Sequence, residues 1–250
     1  LINTQGKNAL ASEGLLGIGF EQTDKSSNYL SLPGTEREIQ HLEASVGGKY
    51  LIGSSGTKSE FLKLARNYDV LHLAIHGRAD STNNYESTLI FNGSEESNIL
   101  STNDLYLASL QARLAVLSAC ESGVGLINKG EGTFSIARGF SLVGVPSVVM
   151  SLWKVNDRVT SDMMVEMYQG FIERGESINS ALRNSKLTYL EASDSYNAHP
   201  YYWAAFLQLG QDINFEESND FSRITLIYIA LLIVGVLGLV IFFNRKKKKG

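Results

Sequence analysis

The sequence has a single cysteine, Cys120, among its 250 residues, so no disulfide can form within the chain. A core of the size this chain can build needs no such staple, so a reducing compartment is compatible with the sequence and not required by it. Histidine is also sparse. His41, His72, His76 and His199 are scattered, and with one thiol they make no zinc pattern. Neither a metal nor any other cofactor is expected. Basic residues are scarce outside one place. Five of the 22 lie in Arg245–Lys249; setting those five aside leaves 17 basic against 26 acidic residues, a net charge of −9 where the whole chain carries −4. A body that acidic repels phosphate backbones, which argues against nucleic acid as a partner.

No signal-peptide pattern opens the chain, which starts at Leu1. The expectation is the C-terminal part of a longer polypeptide, with an upstream repeat region or regulatory partner preceding it. From Ile224 to Phe243 the residues are ITLIYIALLIVGVLGLVIFF, without charge or proline. As a helix this run is about 30 Å long, the thickness of a bilayer core. The basic tail that follows is expected on the cytoplasmic side, which would put the body on the other side if it is exported, or leave it cytoplasmic if the chain is tail-anchored. Gly235 and Gly238 are too close for a small-xxx-small dimer face. The expected organisation is therefore a domain over 1–210, a polar stalk over 211–223, a single-pass transmembrane helix over 224–243 in a lipid bilayer, and a basic tail over 244–250.

In the body, short apolar runs alternate with longer amphipathic ones. Strands are expected at Leu15–Phe20, Tyr50–Ile52, Val70–Ala74, Leu114–Ser118, Ser147–Leu152 and Ala205–Leu209. Helices are expected at Glu36–Val46, Lys58–Asn67, Asn103–Ala108, Thr133–Val143, Arg158–Arg174 and Ile178–Ala192, with Thr57 and Thr102 as N-cap candidates. Met163, Met164, Met167, Tyr168 and Phe171 recur at helical spacing and are expected in the core. Strands apolar on both faces suit an open, mostly parallel sheet with helices on either side and chemistry at the carboxyl ends of its strands.

Two of those strand ends carry reactive residue types. Val70-Leu-His-Leu-Ala-Ile leads into His76-Gly77, and Leu114-Ala-Val-Leu-Ser-Ala leads into Cys120-Glu121-Ser-Gly. In a parallel sheet both ends emerge on one edge, where an imidazole and a thiol can meet. Taken singly, a cysteine after a buried strand is an ordinary small apolar filler. His72 falls on the same alternation as His76, which is preferred because it stands at the strand end beside Gly77. His41 is expected to face solvent, His199 to lie in a loop and Trp203 to pack in the core. Gly125-Leu-Ile-Asn-Lys-Gly130 has the glycine spacing of a P-loop, but Glu131 stands where lysine is needed, so nucleotide binding is excluded.

The segments HLAIHG, LSACESGVG, KGEGTFSIARGFSLVGVPSVVMSLWKVND and HPYYWAAFLQLG together resemble the CHAT domain family of caspase-like cysteine peptidases. LPGTEREI, GTKSEF and ESTLIF extend the resemblance across roughly Leu15 to Gly210. The resemblance implies a caspase-haemoglobinase-like α/β fold, an endopeptidase acting on a protein substrate, and a dyad of His76 and Cys120. On that basis Cys120 is the expected nucleophile and His76 the acid–base. The backbone amides of Gly77 and Cys120 are the expected oxyanion donors. Glu121, Trp153 and Asp157 are the expected substrate-binding residues, although Asp157 is also accounted for as a helix N-cap, and Glu121 beside the thiol would raise its pKa. The alternative is a catalytically silent, caspase-like interaction module at the membrane.

Overall fold

The computed structural model describes residues 14–21, 29, 32–78, 88–93, 96–118, 135–153 and 157–215. Cys120, Glu121, the glycine-rich segment up to Glu131, the membrane span expected at 224–243 and the basic tail lie outside them. Among the described residues no helix is long and apolar enough to cross a membrane.

Five parallel strands form the body of the main sheet: β1 (Leu15–Gly19), β2 (Lys49–Ile52), β3 (Val70–Ala74), β7 (Leu114–Leu117) and β8 (Ser147–Ser151). A sixth, β9 (Phe206–Gly210), closes one edge antiparallel to β8. The order is β2-β1-β3-β7-β8-β9. Strands β1, β3, β7 and β8 are buried at every position, as expected when both faces of a sheet are covered. One face carries Leu15, Val70, Leu114, Val116 and Val149, packed with α1 (Pro33–Ser45), α5 (Asp157–Tyr168) and α6 (Ile178–Ala192). The other carries Leu16, Leu71, Leu73, Leu117 and Met150, packed with α2 (Lys58–Leu64), α3 (Thr102–Leu107) and α4 (Ser135–Leu142).

Local chemistry explains the boundaries, including those where expectation and structure part. Helix α1 starts at Pro33 rather than Glu36, because a proline in the first turn lacks only an N–H that would find no partner there and brings a helical φ. Thr57 caps α2 as expected, accepting from the Glu60 N–H. Thr102 does not cap α3. That cap is Ser101, in a reciprocal box with Asp104, and Thr102 becomes the first helical residue. The helix expected to run to Arg174 is α-helical only to Tyr168 and then widens into a π-helical turn, Gln169–Glu173, around Gly170, a residue of low helix propensity. The methionines, Tyr168 and Phe171 are all buried. Trp203 is half-buried against the core as the last residue of the short helix α7 (Pro200–Trp203), whose N-cap is His199.

A second, three-stranded antiparallel sheet rises from the end of β3. It consists of β4 (His76–Arg78), β5 (Thr88–Ile90) and β6 (Ile99–Ser101). Asn92, just after β5, ties it to the main sheet. Its Nδ2 donates to the Gly19 carbonyl at 2.8 Å and the Gly56 carbonyl at 3.0 Å, while its Oδ1 accepts from the Glu21 N–H at 2.8 Å. The side chain is buried, so its removal takes a partner from the Gly19 carbonyl and the Glu21 N–H, while the Gly56 carbonyl keeps the Asn92 backbone N–H at 3.3 Å. We expect Asn92→Ala to cost on the order of 3 kcal/mol in urea unfolding, and Asn92→Leu, close in size but without polar atoms, to be no better.

Candidate active site

His76 stands at the carboxyl end of β3, where the chain leaves the main sheet for the small one. The chain bends at the fully buried Ile75 and enters β4, with His76 opposite Ile90 and Gly77 opposite Leu89. The half-buried imidazole lies edge-on to Phe20 at the end of β1, ring centres 4.5 Å apart, and tilted against Tyr29 at 5.5 Å.

On the other side of β3 runs β7, in register from Val70 opposite Leu114 to Leu73 opposite Leu117. The two carboxyl ends therefore leave the sheet side by side, on the edge where the sequence reading put them. From Leu117 the chain passes through Ser118 towards Cys120, which with Glu121 lies outside the described residues. Trp153, after β8, is half-buried. Its indole N–H donates to the Tyr201 carbonyl at 2.9 Å and its ring stacks on Tyr201. Asp157 opens α5 as its first helical residue. His41 is exposed and 3.2 Å from the Ser161 hydroxyl, and His199 accepts from the Tyr201 N–H.

His72 and His76, which alternation alone could not tell apart, have different surroundings. His72 is fully buried in the middle of β3, under α1 and α5. Its Nδ1 is 3.0 Å from the Tyr168 hydroxyl, and its Nε2 is 3.3 Å from Oε1 of Glu38, which is itself 2% exposed. Neither His72 Nε2 nor Glu38 Oε1 makes a hydrogen bond, so the ring is held through Nδ1 and the Tyr168 hydroxyl. The other Glu38 oxygen, Oε2, accepts from the Ser118 hydroxyl at 2.9 Å. Buried polar side chains thus line up beneath the covering helices, Tyr168 with His72 and Glu38 with Ser118. Tyr50 and Gly17 fill the space beside them: a Cβ on Gly17 would come within 2.7 Å of the Tyr50 ring, and Gly17 is the cross-strand partner of both Tyr50 and His72.

Sequence reasoning missed Glu38 and Ser118. A signal was present in α1, where Glu38 sits among Thr35, Ile39 and Leu42 on the inward stripe of the helix. A carboxylate on an apolar stripe needs a buried partner. Among the described residues no group of His, Cys, Asp and Glu has the arrangement to hold a metal ion.

The CHAT domain family profile matches residues 2–211. No curated protein matches the chain. Among solved structures, the Saccharomyces cerevisiae separase–securin complex superposes with a TM-score of 0.51 at 15% identity, covering 81% of this chain and 12% of the matched one. A second structure of that complex gives 0.51 at 16%, covering 83% and 12%. Gingipain R, the Arg-specific cysteine proteinase, gives 0.46 at 11%, covering 80% and 46%. At such identity the separase likeness shows the fold alone, and this chain spans about an eighth of that protein's length. The family and that fold agree on a caspase-like α/β architecture.

Burial, and after it the neighbouring Tyr50 and Glu38, hold the Tyr168 hydroxyl well above the ordinary tyrosine value. The folded chain therefore keeps this proton when the unfolded chain has lost it. The resulting stabilisation is complete below about pH 10 and is lost as pH rises through the folded value. Urea midpoints between pH 9 and 11.5 should fall less steeply for Tyr168→Phe, by up to about 1.4 kcal/mol per pH unit.

Proposed function

We propose, because the chain belongs to the CHAT domain family, that it is a cysteine endopeptidase cleaving protein substrates through His76 and Cys120. The observation that carries this reading is the placement of His76 at the carboxyl end of β3, next to the end of β7, from which the chain runs to its sole thiol. The Cys120 thiolate attacks the scissile carbonyl carbon. The C–N bond breaks as His76 protonates the leaving amine, and water then releases the acyl-enzyme with His76 as base. The amides of Gly77 and Cys120 stabilise the oxyanion, where one donor is worth about 10²–10³ in rate. Glu121, Trp153 and Asp157 line the substrate side.

The apolar run at 224–243 anchors this domain to a bilayer. The run is long enough to span, and it ends in Arg245 and four lysines. Both parts of the reading are open to direct test. Profiling of new protein N-termini should find cleavages made by the wild-type chain and absent with Cys120→Ala. His76→Ala should cut peptide turnover about 10²–10⁴-fold, and a matching cleavage map from wild type and Cys120→Ala would end the peptidase reading. In alkaline carbonate extraction the full chain should stay with membranes, and a chain ending at residue 223 should be released.

A further inference from the structure

Resting on that peptidase reading, we propose that Glu38 is a positioning residue for the nucleophile and acts through Ser118. Its carboxylate takes the Ser118 hydroxyl at 2.9 Å at the end of β7, two residues before Cys120.

The ladders that fix β7 stop one residue short of this point. Leu117 is the last residue of β7 in register with β3, opposite Leu73, and with β8, opposite Met150. Ser118 is thus the first residue beyond the strand register, and its side chain is held from below by a group on α1. Glu38 is well suited to hold it. Helix α1 is packed against the sheet and α5, and the carboxylate is 2% exposed. Its Oε2 accepts from Ser118, while Oε1 lies 3.3 Å from His72 Nε2 without a hydrogen bond. For packing alone an apolar residue serves better than a buried carboxyl group, so the bond to Ser118 points to a task at the end of β7. The task open to it is to set the direction in which the chain leaves β7. Nucleophile placement is sensitive at this scale, since a misplacement of about 1 Å can cost 10²-fold in rate.

The test compares the full-length wild type with Ser118→Ala, Ser118→Thr, Glu38→Gln and the double variant Ser118→Ala/Glu38→Gln, each first shown to melt cooperatively. For peptide hydrolysis, Ser118→Ala should lower kcat at least tenfold with KM unchanged within twofold. Ser118→Thr, which keeps the hydroxyl, should recover to within threefold of wild type, and the double variant should be no worse than the poorer single one. A folded Ser118→Ala with wild-type kcat overturns the proposal, as does a Ser118→Thr equally impaired or a double variant whose losses multiply. Should Glu38→Gln fail to fold, the two Ser118 variants decide alone. A wild type that neither hydrolyses peptides nor takes a peptidyl acyloxymethyl ketone at Cys120 removes the peptidase reading instead. Iodoacetamide then decides the inference, because Cys120 is the sole thiol: a threefold or larger rate change in Ser118→Ala, reversed in Ser118→Thr, supports the positioning link, and equal rates in all three overturn it.

Discussion

The parallel pairing of β3 with β7 is the constraint on which the rest of this molecule depends. Both strands are buried at every described position, and a parallel ladder requires their carboxyl ends to leave the sheet in the same direction. Forty-odd residues separate His76 from Cys120 along the chain, yet the strands that lead to them run side by side. Helices on both faces keep water from the ladder, so the pairing competes with no solvent hydrogen bonds. His76 stands just beyond the end of β3, supported by Phe20 and Tyr29.

Covering both faces has a consequence inside the sheet. A strand buried on two sides has no solvent-facing position for a polar residue, so His72 must find its partners within the core. Tyr168 of α5 meets its Nδ1, and Glu38 of α1 lies 3.3 Å from its Nε2 without a hydrogen bond. The small neighbour Gly17 leaves room for Tyr50 alongside. Polar groups so placed are costly when unpaired and rigid when paired. Here they join the helix layer to the residue at which β7 ends. The small antiparallel sheet is fastened by a comparable device, with Asn92 bonding three backbone groups at the end of β1 and in the Gly56 turn.

Much of this was legible in the residues. Val70–Ala74 and Ile178–Ala192 have the bounds their patterns indicated, because an apolar run with clear ends, or a long amphipathic period with a serine cap, is decided locally. Thr102 yielded its capping role to Ser101 because the choice between adjacent hydroxyl residues depends on which one leaves Asp104 free to reach back. The chain beyond Ala74 was read as a strand end and is a bend into a second sheet, since three-residue strands carry too little periodicity to register. Glu38 was not singled out, because only the packed helix shows that its stripe faces inward.

Composition and pattern by themselves determined that this is an α/β chain, and they put an imidazole and a thiol at the ends of two expected strands. Periodicity and residue type are local properties, and they need no partner to be read. Tertiary structure alone decided which strands are neighbours, which histidine is half-buried beyond the sheet and which is buried in the core, and that a carboxylate from α1 reaches the end of β7. Those are relations between residues distant in the chain, and they exist only once the sheet and its helices have closed on one another.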